Sequence, residues 1–295
     1  MKKEEFLTYL KRQRKLSDYT IRSYGIDLTQ FEQELKRLND GNEFEGEPDA
    51  KLIRIWLMDL ADGSISNRSI NRKISALRTY FHYIEKQDPS FNNPMAKIVA
   101  PKMAKRKPSF LFESDMDKLL NEVVDEEDFV CFRNYLIIEI LYATGIRRSE
   151  LLSIDEKDIN LYSNAIKIFG KGKKERIVPF GTKLKEDLIK YIEHKKRLNI
   201  KESLLITDKD GKPMSQGKLY TMVHKKLQEY NISEKSPHVF RHTCATHLLN
   251  QGAEINNVKN LLGHSSLAAT EVYTHTTIAQ LKNEYKNSFK SIDKQ

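Results

Sequence analysis

A chain of 295 residues is long enough for two domains with separate cores. Fifty Lys and Arg against 41 Asp and Glu give a formal net charge of +9, which favours a polyanionic partner such as nucleic acid, and two cysteines are too few for a disulfide framework and fit a reducing compartment. The opening Met-Lys-Lys-Glu-Glu-Phe lacks the apolar core of a secretory signal and no stretch approaches the ~18 consecutive apolar residues of a spanning helix, so a cytoplasmic protein with no membrane partner is expected.

From Ser17 the apolar positions Ile21, Tyr24, Leu28, Phe31, Leu35 and Leu38 recur at helical spacing, with Ser17 placed to cap the first turn. An acidic, Gly-containing loop from Asn39 to Pro48 follows, then a shorter helix around Ile53 to Leu60 that carries Trp56. Beyond the Asp62-Gly63-Ser64 breaker a second stripe runs through Ile70, Ile74, Leu77, Phe81 and Ile84. No strand-like alternation of any length occurs before residue 100, so residues 1–100 are expected to form an all-helical bundle. Arg72 and Arg78 lie off the second stripe, where they either face a DNA groove or are solvated. Residues 101–110 contain Pro101 and Pro108 with Lys102, Lys105, Arg106 and Lys107 between them and no acid, the composition of a linker. Lys105, Arg106 and Lys107 are candidate phosphate contacts, with plain solvation the alternative.

The remainder, 111–295, begins with a helix from about Glu113 and an apolar core helix from Phe129 to Tyr142. Thr144-Gly-Ile-Arg147-Arg-Ser-Glu150 follows it directly. From Ile166 to Pro179 the pattern is two short strands around a Gly170-Lys171-Gly172 turn. Helices are expected near 183–197 and 215–230, at His238, from Glu254 to Leu262, and in a tail where Ile278, Leu281 and Tyr285 keep helical spacing. This half is therefore mainly α with one small antiparallel sheet.

His238-Val-Phe-Arg241-His242, Leu-Leu-Gly-His264 and Tyr273 gather a guanidinium, imidazoles and a phenol in one C-terminal block. His238 and Arg241, three apart on a helix, project from one face. A phosphodiester under attack gains charge on its non-bridging oxygens, and planar guanidinium groups match that charge with paired hydrogen bonds, so Arg147 and Arg241 form a natural pair. Tyr273 suits a covalent nucleophile that conserves the energy of the broken bond. Its phenol, with an ordinary pKa of about 10, needs a nearby acceptor or cationic field, which His238 or His264 can supply. The departing 5′ oxygen needs a proton, and a lysine on a glycine-flanked turn can reach it; Lys171, Lys173 and Lys174 all qualify. His238 and His242 are spaced for zinc, but the Glu of a His-Glu-x-x-His site is absent and Cys244 and His247 do not complete a ligand set. Gly170-Lys-Gly-Lys-Lys lacks the pattern of a nucleotide phosphate loop. No metal or other cofactor is expected.

In chain order these residues read Arg, Lys, His-x-x-Arg, His, Tyr, and the chain resembles the tyrosine recombinase (phage integrase) family, within it the Xer-type site-specific recombinases of bacteria. The resemblance runs from Leu16-Ser17-Asp-Tyr-Thr-Ile-Arg-Ser-Tyr24 to the tail after Tyr273. It implies a SAM-like, core-binding helical domain ahead of a catalytic domain, and strand exchange through a 3′-phosphotyrosine with Arg147, Lys171, His238, Arg241, His264 and Tyr273 as the catalytic set. It assigns His238 the base role, His264 a donor to a phosphate oxygen and, through Gly-Lys-Gly, Lys171 the general acid. Arg148 departs from the family, which more often has an apolar residue there, and Glu150 is expected to hold Arg147. The implied partners are a double-stranded DNA recombination site, a homo- or hetero-tetramer with a related recombinase, and a septal DNA translocase. Chromosome dimer resolution is the expected role, since the chain starts almost directly at its first core-binding helix; a mobile-element integrase is the alternative. A type IB topoisomerase and a catalytically idle DNA-binding protein are the more distant rivals.

Overall fold

The computed structural model describes residues 2–42, 44, 48–102, 109–170 and 175–263. The chain divides into two compact units, Met1–Arg106 and Lys107–Gln295, with the division inside the Pro101–Pro108 stretch.

The first unit contains helices α1 (Lys3–Arg12), α2 (Asp18–Leu38), α3 (Ala50–Asp62) and α4 (Asn67–Gln87). Ser17 caps α2 by accepting from the Thr20 N–H, Asp49 caps α3 through Leu52, and Ser66 caps α4 through Ser69. The apolar stripes of α2 and α4 meet in a core of Leu28, Phe31, Leu35, Ile70, Ile74, Leu77 and Phe81, with Ile53 and Trp56 from α3. Helix α1 lies outside the sequence expectation because it buries only Phe6 and Leu10 along its length. Phe6 stands edge-on to Tyr80, with ring centroids 5.3 Å apart.

In the second unit α5 (Glu113–Leu120) precedes α6 (Phe129–Thr144). Helix α6 is apolar on nearly every side and is accordingly the buried axis of the unit. After the short α7 (Arg148–Leu151), strands β1 (Ile159–Asn160), β2 (Ala165–Phe169) and β3 (Glu175–Pro179) form an antiparallel sheet in that order. Helices α8 (Thr182–Arg197), α9 (Gln216–Leu227), α10 (His238–Asn250) and α11 (Ile255–Leu262) complete the described residues. α8 and α10 both pack on α6. The two-residue β1 and the four-residue α7 are too short to leave a periodic signal, and α9 stops at Leu227 rather than near 230. No helix among the described residues is long and apolar enough to cross a membrane.

Candidate active site

Two helix ends build the site. α6 stops at Gly145, which takes the left-handed conformation with φ of 60° and so turns the chain toward Ile146 and Arg147. α11 stops in the same way at Gly263, with φ of 66°. A helix leaves its last carbonyls without intrahelical donors and carries a partial negative charge there, so each end is a ready acceptor for cations.

Arginines take those carbonyls. Arg241, on the buried face of α10, donates from Nη1 to the Gly145 carbonyl at 2.8 Å and from Nη2 to the Leu262 carbonyl at 2.7 Å. Arg147 donates from Nη2 to the Gly263 carbonyl at 3.2 Å. Arg176, from β3, donates from Nε to the Leu261 carbonyl at 3.0 Å. The Gly145 site is also sterically closed: a Cβ there would overlap a Leu262 methyl and lie 3.2 Å from Cys244 Sγ.

One carboxylate serves the cluster. Glu150 is buried and accepts the Arg147 N–H on Oε2 and Arg147 Nη1 on Oε1, both at 2.8 Å, as the sequence led one to expect. It also accepts Arg176 Nη1 at 3.1 Å and Nη2 at 2.7 Å. Burial by itself would push the Glu150 carboxyl up, but the hydrogen bonds from Arg176 and from the Arg147 N–H outweigh it and hold the group down to about 2. Burial, and next the neighbouring Arg147 charge, bring Arg241 down to about 10, a shift that Glu150 opposes. Two of the three guanidinium groups, those of Arg147 and Arg176, thus share one carboxylate while Arg241 rests on carbonyls, and positive charge remains for an anion.

His238 opens α10, its ring exposed beside this charge. Desolvation by its neighbours lowers its pKa below the ordinary imidazole value; Glu234 opposes the shift, while Arg148, Arg241 and His242 add to it. The shift favours the neutral ring, the form with a nitrogen lone pair free to accept a proton. Arg148 turns away to α9, donating to Gln216 Oε1 at 3.0 Å and lying 5.9 Å from the centroid of the Tyr220 ring. The far side of α10 is pinned: buried His247 bonds the Tyr142 hydroxyl at 2.9 Å and the Leu111 carbonyl at 3.0 Å, and the Leu111 N–H donates to Thr243.

Of the sequence candidates, Arg147, His238 and Arg241 come together. Lys171, His264 and Tyr273 lie outside the described residues, as do Lys105, Arg106, Lys107 and the tail with Ile278, Leu281 and Tyr285. In the first unit Arg72 bonds the buried Asp27 and the Ser23 carbonyl, and Arg78 donates to the Ile98 carbonyl at 2.8 Å. Both arginines are exposed and also have partners within the unit. Arg176 falls in the second of the two strands expected around the Gly-Lys-Gly turn, where its charged neighbours do not single it out. The signal that exposes it is pairing register: Arg176 stands opposite the buried Ile168, so it faces inward.

Residues 109–280 match the phage integrase family, and residues 4–88 match the phage integrase N-terminal SAM-like domain. The chain belongs to the phage integrase family. It is a site-specific tyrosine recombinase. The tyrosine recombinase XerC of Staphylococcus aureus strain bovine RF122 / ET3-1 is 39% identical over 288 residues, covering 97% of this chain and 95% of that protein. XerC of strain MRSA252 has the same identity and coverage. Among solved structures, the fold is shared by the Tn1549 transposon integrase in complex with transposon right end DNA, with a TM-score of 0.71, 18% identity, and 96% and 98% of the two chains covered. It is shared too by the XerH recombinase bound to its difH substrate, with a TM-score of 0.68, 24% identity, and coverage of 96% of this chain and 84% of that one.

Proposed function

We propose that this recombinase cuts and rejoins DNA through a 3′-phosphotyrosine, with Arg147 and Arg241 clamping the non-bridging oxygens of the scissile phosphodiester. The observation that carries this reading is the way the two guanidiniums are held: Arg241 by neutral carbonyls alone, Arg147 by a carboxylate that it shares with Arg176. Their positive charge is preorganised and only partly neutralised, the arrangement that lowers a barrier whose transition state gains negative charge. Tyr273 is the nucleophile. His238 takes its proton, His264 donates to a phosphate oxygen, and Lys171 protonates the departing 5′ oxygen. The attack forms the phosphorus–oxygen bond to tyrosine as the bond to the 5′ oxygen breaks, and the reverse reaction on a partner strand returns the enzyme unchanged.

The likeness to XerC supports chromosome dimer resolution, in the cytoplasm, by a tetramer on two recombination sites, alone or with a related recombinase and under the control of a septal DNA translocase. The basic residues Lys105, Arg106 and Lys107 belong to the same proposal as contacts to the DNA backbone, in a linker at 101–110 between a DNA-binding unit and a catalytic one. The test is covalent trapping on sheared genomic DNA from the host. Wild-type protein should leave a protein–DNA adduct at one mapped site with inverted-repeat character, cleavage should persist in excess EDTA, and Tyr273→Phe should bind that site without forming an adduct. An adduct formed by Tyr273→Phe removes the nucleophile from Tyr273.

A further inference from the structure

Strand β3 carries its side chains the wrong way round for a simple amphipathic strand. Ile177 points outward and is 47% exposed, whereas the Arg176 side chain is 9% exposed. Register enforces this, because Ile166 and Ile168 line the inner face of β2 and stand opposite Val178 and Arg176. Burying a guanidinium in place of the neighbouring isoleucine is costly unless every donor is placed. Here each of the three nitrogens has an acceptor. Nε meets the Leu261 carbonyl, Nη1 and Nη2 meet the two oxygens of Glu150, and the plane of the group lies against Gly263, where a Cβ would come within 3.1–3.3 Å of its atoms.

The same carboxylate and the same helix end hold Arg147, through Glu150 Oε1 and the Gly263 carbonyl. Without Arg176 the full charge of Glu150 would face Arg147 alone and draw its fork into a two-pronged ion pair, the geometry that Arg147 is to offer a phosphate. We infer that Arg176 is a positioning residue for strand cleavage: by sharing Glu150 and fixing the end of α11, it keeps the Arg147 guanidinium oriented and available to the scissile phosphate. The inference rests on the phosphate-clamp role of Arg147 proposed above and adds a residue that acts through Arg147.

The test uses the full-length protein and the duplex at which the wild type forms its adduct, in two versions: an ordinary scissile phosphate, and a methylphosphonate in which one non-bridging oxygen is a methyl group. Arg147→Ala should lose cleavage of the phosphate and regain it on the methylphosphonate; if its losses on the two are equal, the clamp reading fails before Arg176 is in question. With a cutting wild type, Arg176→Gln should cut the phosphate about 10–100-fold more slowly in single turnover, with site affinity within about 3-fold. On the methylphosphonate, which has no anionic oxygen for Arg147 to neutralise, the gap to wild type should close to within about 3-fold. Arg176→Lys, which keeps the charge beside Glu150, should recover most of the phosphate rate. Equal losses on the two substrates would make Arg176 a fold-holding residue and overturn the inference, as would an unchanged rate. Should Arg176→Gln not fold, the double variant Arg176→Gln/Glu150→Gln, which removes both charges, should fold and cut the phosphate within about 10-fold of Glu150→Gln. A double variant more than 100-fold slower than Glu150→Gln overturns the inference too.

Discussion

Substituting Gly145 with alanine strikes the site through its backbone. The position has φ of 60°, where a side chain costs about 1–2 kcal/mol. The added Cβ overlaps a Leu262 methyl and presses on Cys244 Sγ at 3.2 Å, and overpacking of this kind costs about 1–3 kcal/mol. The sum of roughly 2–5 kcal/mol corresponds to a melting temperature lower by about 5–15 °C for a unit of this size. The loss is not confined to stability, because Gly145 and Leu262 supply both carbonyls that hold Arg241. Displacing them by about 1 Å misaims the guanidinium, and cleavage at 25 °C should fall by about 100-fold. Gly252→Ala is the control: φ there is 89°, yet nothing lies within 4 Å of the added Cβ. It should show the backbone cost alone, with cleavage unchanged. Scanning calorimetry and single-turnover cleavage of the mapped site read the two effects. If the two glycine variants match in melting temperature and in rate, the closed contact among α6, α10 and α11 is not what aims Arg241.

Two further outcomes are expected. Lys171→Ala should lose cleavage of an ordinary duplex and regain it on one whose bridging 5′ oxygen is sulfur, since a thiolate leaves without a proton; failure to regain it transfers the acid to Lys173 or Lys174. Glu150, held at about 2 in the fold against an ordinary 4.5, contributes stability that is fully present above pH 4.5 and is lost as pH falls through about 2. The difference corresponds to about 3 kcal/mol, so wild-type urea midpoints should drop more steeply between about pH 5 and 2 than those of Glu150→Gln, and parallel curves would contradict the buried ion cluster.

Much of this was legible in the chain because burial imposes periodicity. The stripes of α2 and α4, the all-apolar α6 and the alternation of β2 follow from which faces are covered, and Gly-Ile-Arg147 and His238-x-x-Arg241 mark the residues that the fold then assembles. What stayed hidden has one physical cause, which is that a charge looks the same in sequence whether water or protein surrounds it. Arg72 and Arg78 are exposed, yet each also has a partner within its unit, Asp27 for the one and the Ile98 carbonyl for the other, that the sequence does not announce. Arg176 lies in an expected strand without being singled out, and its inward direction is set by its opposite number Ile168 rather than by its own neighbours. His247 and Thr243 sit between the catalytic candidates and face the other way, onto Leu111.

The glycines of Thr-Gly-Ile-Arg and Leu-Leu-Gly-His have a common explanation in the arginines. A guanidinium can be fixed by carboxylates or by carbonyls, and the choice decides what charge is left. A carboxylate removes one unit. A carbonyl at a helix end orients the group through a partial charge and leaves it cationic. In this site the ends of α6 and α11 supply four carbonyls, from Gly145, Leu261, Leu262 and Gly263, to three arginines, and among the described residues bonded to them only Glu150 subtracts a full charge. Stopping two helices at one point with left-handed glycines is therefore a means of holding cations rigidly without neutralising them. The cost is burial and, after it, mutual repulsion, which together lower the Arg241 pKa, and a dianionic pentacoordinate phosphorus would relieve the repulsion more than the singly charged diester does. That difference is the sense in which the cluster favours the transition state over the bound ground state.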